Sequence, residues 1–167
     1  MESIYNNWDE AAEAWLRRMV DTASNSPKDR HMFDPIEIYF RQWIMRVTKG
    51  DLVEGDIDLA VDVLFRAGVT AMQTLASEDR FSLTDMHELL VRKQHDYGHD
   101  NINSFGIIGI CIRLCDKIAR IKNLQGRDTN GLNEPLHDSY VDVIGYATVA
   151  CMYHDGSFQL KLKGDIK

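Results

Sequence analysis

Residues 104–124, SFGIIGICIRLCDKIARIKNL, decide the fold class. Ile107, Ile110, Cys111, Leu114, Ile118 and Ile121 recur at steps of one, three and four, which gathers apolar side chains on one face of an α-helix. A second line on the same segment runs through Gly109, Arg113, Asp116 and Arg120, flanked by Lys117. Side chains three or four residues apart share a face, so this line is a polar stripe beside the apolar one. Residues 135–154 repeat the pattern. Leu136, Tyr140, Val143, Ile144, Ala147 and Cys151 make the apolar set, and Glu134, Asp138, Asp142 and Gly145 make the stripe. The connection GRDTNGLNE (126–134) is short enough for the two helices to pack as an antiparallel hairpin.

Counting outward from that connection brings Asp116 level with Asp142, and Arg120 level with Asp138. Two facing carboxylates repel unless a cation lies between them. Mg²⁺, which takes carboxylates, water and phosphate oxygens, suits such a pair. Arg113, Lys117 and Arg120 then serve the phosphate charge. Gly109 and Gly145 leave room beside the stripe for something to approach the backbone. A solvated face laced with ion pairs, Arg120–Asp138 among them, is the other reading of the same spacing.

The rest of the chain carries the same periodicity and almost no strand signal. A first helix is expected over 7–22, with Trp8, Ala12, Trp15 and Met19 on one face. SNSPKDRH (24–31) breaks it. Asp34-Pro35-Ile36-Glu37 reads as a capped helix start, and that helix ends near Lys49-Gly50. A third, apolar enough to be central, runs over about 56–77. A fourth starts at Ser82 or Thr84, carries Met86, Leu89, Leu90 and Lys93, and stops at Gly98 in a left-handed conformation. Residues 99–104 read as a polar loop, and the tail from Asp155 as irregular or extended. The expected fold is all-α: one domain spanning 1–167, a bundle of about six helices.

The segment RKQHDYGHD (92–100) crowds Lys93, His95, Asp96, His99 and Asp100 at a helix end, a natural place for ligand contacts. His95 and His99 have metal-ligand spacing only on a continuous helix, which Gly98 opposes. The plain reading is a turn organised by Asp96 and Asn101. Glu88 on the fourth helix is a candidate extra ligand, and Asp85 a helix-dipole partner.

Composition narrows the function classes. A formal charge of −7 over 167 residues argues against binding a nucleic-acid polymer but not a small anion held by a local basic cluster. Apolar residues, 44% of the chain, fall in periodic runs, none of which is expected to cross a bilayer. The acidic start MESIYNNWDEAAEAW does not read as a signal peptide, so the cytoplasm, a host's if the chain is phage-encoded, is the expected compartment. Cys111, Cys115 and Cys151 read as reduced core thiols.

The order KQHDYG (93–98), GIIGICIRLCDKIARIKNL (106–124) and EPLHDSYVDVIGYA (134–147) resembles the nucleotide modification associated domain family of phages and bacteria, itself related to all-α MazG-type nucleoside triphosphate pyrophosphohydrolases. The resemblance covers about 83–154, and the N-terminal helices of 1–80 lie outside it. It implies a helical, usually homodimeric, Mg²⁺-dependent enzyme that cleaves a (deoxy)nucleoside triphosphate to monophosphate and pyrophosphate. On that resemblance Asp116, Glu134, Asp138 and Asp142 match the acids of the paired helices, Asp96 the DYG acid, and Lys117 and Arg120 the basic pair. Asp96, Asp116, Asp138 and Asp142 are then the expected Mg²⁺ ligands, with Asp116, Asp142 and Glu134 in the chemistry. Lys93, His95, Tyr97, Asn101, Arg113, Lys117 and Arg120 are the expected nucleotide contacts, with Asn103 and Phe105 near the base. The 104–124 helix lacks the E-x-x-E pair of the MazG pattern, and the acids of the next helix are spaced by four. That departure leaves open a module that binds or sequesters a nucleotide without turnover. Two further readings stand beside it: an HD-type metal-dependent phosphohydrolase built on His95-Asp96 with His31 or His87 and Asp142, and a helical protein with no small ligand.

Overall fold

Residues 56–77 and 134–155 form the two helices around which the others pack. The structure, a computed structural model, describes residues 4–28, 33–51, 55–125 and 134–165. Among them there is no strand. The helices are α1 (Trp8–Asn25), α2 (Phe33–Lys49), α3 (Asp56–Ser77), α4 (Leu83–Tyr97), α5 (Asp100–Asn103), α6 (Gly106–Gln125) and α7 (Glu134–Asp155). α7 buries side chains nearly all round, from Leu136 and Tyr140 through Ile144, Ala147 and Thr148 to Met152. A helix apolar on every side belongs in the middle of a bundle. α3 lies along it in the most extensive contact of the fold, and α6 packs on another side. α1 lies across α3, α4 and α7, and α2 rests on α3 and α6.

Gly68 sets the α3–α7 distance. A Cβ there would fall 2.6 Å from the Cβ of Ala147, inside van der Waals contact, so only glycine lets the two backbones come this close. By length and composition α3 is long and apolar enough to cross a membrane, against the sequence expectation. Most of that stretch is covered by neighbouring helices, as in any central helix.

α6 and α7 meet in opposite directions. Gly106 lies against Tyr153, Lys117 against Asp142, and Gln125 donates to the Tyr140 hydroxyl. The connection 126–133 lies outside the described residues, as does His31.

Several local expectations change. Ser82 caps α4 by accepting from the Asp85 N–H at 3.2 Å. Asp34, by contrast, lies within the first turn of α2, and Glu37 pairs with Arg41 and Lys122 instead of closing a capping box. The polar stretch after Gly98 is the one-turn helix α5, tightened by the Ser104 hydroxyl donating to the Asp100 carbonyl at 2.7 Å. One turn is too short for periodicity to register, so the described residues form seven α-helices where about six were expected. The tail is neither extended nor loose. It forms short 3-10 turns over Ser157–Gln159 and Lys163–Asp165, and it buries Phe158 and Leu162.

Candidate functional site

α4 enters the site through its second half. Met86, Leu90 and Gln94 recur at steps of four along its buried face, and Gln94 is the one polar member of that line. The helix stops at Gly98, whose φ of +64° and ψ of −159° belong to a backbone region reserved for glycine, distinct from the left-handed helical turn that was expected. The sharp exit turns the chain into α5 and brings Asn101 back toward α4.

A cavity of about 410 Å³ opens there, within the usual size of small-molecule sites. α4 supplies Leu90, Lys93, Gln94 and Tyr97, and α5 supplies Asn101 and Ile102. Arg113 enters from α6; Asp142, Gly145, Tyr146 and Val149 come from α7. Trp8 at the start of α1 and Phe158 of the tail close the remaining side. Their rings meet edge to face, with centroids 6.4 Å apart.

Asp142 organises the charge. Its Oδ1 accepts from Lys93 Nζ at 2.9 Å, and its Oδ2 lies 2.8 Å from Lys117 Nζ. Burial pushes this carboxyl up, but the bonds and charges of Lys117 and Lys93 outweigh it and hold Asp142 below the usual carboxylate range. Arg113 adds a third cation, with Nη2 3.4 Å from the Asn101 carbonyl. Lys93 and Arg113 line the cavity with Asp142 as the one acid among the lining residues, and Lys117 meets Asp142 beside it, so positive charge exceeds negative at this end. Tyr97, 67% exposed, stands at the mouth, where its ring is free to stack on a planar group.

Of the residues expected to contact a nucleotide, Lys93, Tyr97, Asn101 and Arg113 line this one cavity, and Lys117 joins it through Asp142. The others lie elsewhere. Arg120 is exposed. His95 pairs with Asp96 at 3.3 Å on the surface and faces a shallow groove with Asp9, His87 and Glu88. Asn103 bonds to Gln159, and Phe105 lies over a separate groove beside Trp43 and Ile57.

The acids do not assemble as the level count suggests. Lys117, not Asp116, meets Asp142, while Asp116 is exposed. The count is right to about one residue along the axis, but one residue is about 100° around it. Asp138 is 61% exposed, with His137 at 3.8 Å, and it forms no ion pair with Arg120. Among the described residues no three His, Cys, Asp or Glu side chains gather as metal ligands. A carboxylate already clamped by two ammonium groups is a poor ligand for Mg²⁺, because the lysines repel the ion and occupy the oxygens it needs. The described side chains therefore do not fit the expected magnesium site, and that of Glu134 lies outside them. Of the residues in the HD reading, His95 and His87 line the shallow groove and Asp142 lines the cavity. The glycines of the stripe are filled from within: Phe105 lies against Gly109, and Leu90 packs against Gly145.

Residues 93–153 match the model of the family nucleotide modification associated domain 1. The matched stretch begins at Lys93 and includes every cavity residue except Trp8, Leu90 and Phe158. No curated protein and no solved structure matches the chain. Gln94, Trp8 and Phe158 are cavity residues that were not among the expected site residues. Gln94 carried a usable signal, a polar residue in phase with an apolar line. Trp8 carried none, because a helical aromatic at apolar spacing reads as core.

Proposed function

We propose that this protein binds a nucleotide through its phosphate, in the cavity between α4, α5, α6 and α7. The observation that carries the reading is the cationic end of the cavity. Lys93 and Lys117 are held in place by Asp142, with Arg113 beside them and net positive charge left over. A phosphate monoester carries close to two negative charges at neutral pH, which this end balances. Asp142 acts as a positioning residue, since it prevents the two lysine side chains from moving apart and so lowers the entropy cost of binding. Apolar walls and Tyr97 at the mouth suit a flat base. The overlap with a nucleotide modification associated family supports the same ligand class.

The test is calorimetry with a panel of nucleoside mono- and triphosphates, with and without Mg²⁺, beside a pyrophosphate assay. Binding without a requirement for Mg²⁺, weakened roughly tenfold or more by Lys93→Met, is expected. No binding by any nucleotide would sink the reading. Metal-dependent cleavage of a triphosphate is the second reading, favoured by the resemblance to MazG-type enzymes. It requires Asp142 to leave its lysines and other acids to gather round it. Pyrophosphate released at catalytic rates, and lost in Asp142→Asn, would replace the binding-only reading with this one. The exposed apolar side chains Ile38 and Met45 of α2 and Ile108 and Ile112 of α6 are the surface that a homodimer would cover, which analytical ultracentrifugation tests.

A further inference from the structure

Two glutamines are buried in this fold, and they use their amides differently. Gln73 is 8% exposed, and its Nε2 donates to the Ala23 and Ser26 carbonyls at 2.9 and 3.1 Å, which ties α3 to the end of α1. Gln94 is 7% exposed and lines the cavity, with Leu90 one turn before it and Tyr97 after it on α4. Among the described residues its side-chain amide has no hydrogen-bond partner, yet its Oε1 and Nε2 both remain accessible. The space that Gln94 lines is the cavity. Burying an amide costs free energy unless something pairs with it, so Gln94 marks a place where a ligand supplies both partners.

We infer that Gln94 reads the base of the bound nucleotide, through two parallel hydrogen bonds to a base edge that carries a donor beside an acceptor. This rests on the nucleotide reading and names the group that recognises the base. Tyr97 stands three residues later on the last turn of α4, so the two side chains are neighbours. Stacking on Tyr97 and edge pairing with Gln94 then act on one flat ring. A carboxamide offers an accepting oxygen and a donating NH₂ side by side. With neither committed to the protein, a half-turn about the last side-chain bond exchanges them. Uracil presents N3–H beside O4, and cytosine presents the reverse order, N3 beside N4–H. Gln94 takes either, so the site demands a base edge without choosing its polarity. A ligand with no such edge is rejected, because it leaves the buried amide unpaired.

The experiment is calorimetry on the full chain with deoxyuridine 5′-monophosphate, its N3-methyl derivative, deoxycytidine 5′-monophosphate and deoxyribose 5-phosphate. The variant is Gln94→Met, which keeps the length of the side chain and removes the amide. On the unaltered protein the two nucleotides are expected to bind within roughly tenfold of each other, and N3-methylation to weaken the first roughly tenfold. In Gln94→Met both nucleotides should bind roughly tenfold more weakly, and deoxyribose 5-phosphate, which has no base, should bind as before. N3-methylation should then cost nothing further, which ties the lost bonds to Gln94 as a double-mutant cycle does. An N3-methyl penalty of equal size in the variant overturns the inference, while the nucleotide reading stands. So does the absence of that penalty in the unaltered protein, a result that needs no variant to fold. A preference beyond roughly tenfold between the two nucleotides overturns the exchangeable amide. Failure of every phosphate ligand to bind overturns both readings.

Discussion

Asp138 and Asp142 lie one turn apart on α7, yet they live in different surroundings. Asp142 is 22% exposed and clamped between two lysines from different helices. Asp138 is 61% exposed, and its partner is a neighbouring histidine at 3.8 Å. Four residues turn a helix by about 40°, enough to move a side chain from the lip of a cavity into solvent. Residue type and spacing therefore nominate both, and only the neighbours of α7 choose between them. The same choice operates on α6, where Lys117 reaches inward to Asp142 while Asp116 and Arg120 point out.

The sharpest break of this comparison is truncation of each acid. Asp142→Ala leaves two half-buried ammonium groups facing each other, and urea unfolding should show a loss of about 1–3 kcal/mol. Asp138→Ala should fall within about 0.5 kcal/mol of the parent. Equal losses from the two would erase the distinction.

On α6 the parallel pair is Arg113 and Arg120. Arg113→Met should weaken nucleotide binding roughly tenfold, about 1.4 kcal/mol, whereas Arg120→Met should leave calorimetric affinity unchanged.

Acidity sharpens the comparison further. Asp142 titrates lower in the folded chain than its ordinary value, so its contribution is complete above about pH 4, where the unfolded chain has ionised. That contribution disappears as pH falls through the lowered folded value. The stability gap between the parent and Asp142→Asn should thus be flat from pH 6 to 8 and shrink below about pH 4, as read from urea midpoints across pH.

The smallest expected signal is a slow reaction. Burial pushes the Cys115 thiol up to about 11 and Cys151 to about 12, and it raises Cys111 as well. Neutral-pH labelling with a disulfide reagent should be slow for all three in the folded protein and fast in denaturant. A rapidly labelled thiol would mean that its helix face opens to solvent.

Much of the architecture was legible because long apolar periodicity is a strong signal. α3 occupies the expected 56–77, and Ser82 and Gly98 bound α4 as their chemistry suggests. The site was legible in part. Lys93, Tyr97, Asn101 and Arg113 converge, since a helix end, a tight turn and a facing helix leave them few other places to go. What stayed hidden is rotation and distance. A level count along two helices carries no information about azimuth, so Asp116 was paired where Lys117 belongs. Nor does local pattern tell a core tryptophan from one lining a cavity, when what separates them is a partner about 150 residues away.

That separation has a consequence for how the chain is made. The Trp8 backbone N–H donates to the Lys161 carbonyl at 2.9 Å, and the Lys163 backbone N–H donates to the Asp9 carboxylate at 2.8 Å, so the beginning of α1 is tied to the tail. Helices form and pair early, from contacts close in sequence. Trp8 and Phe158, however, can meet only once the residues that hold them have both left the ribosome. Closure of the cavity therefore waits until residue 158 has been made, and a chain stalled short of it is a helical body whose cavity lacks one wall.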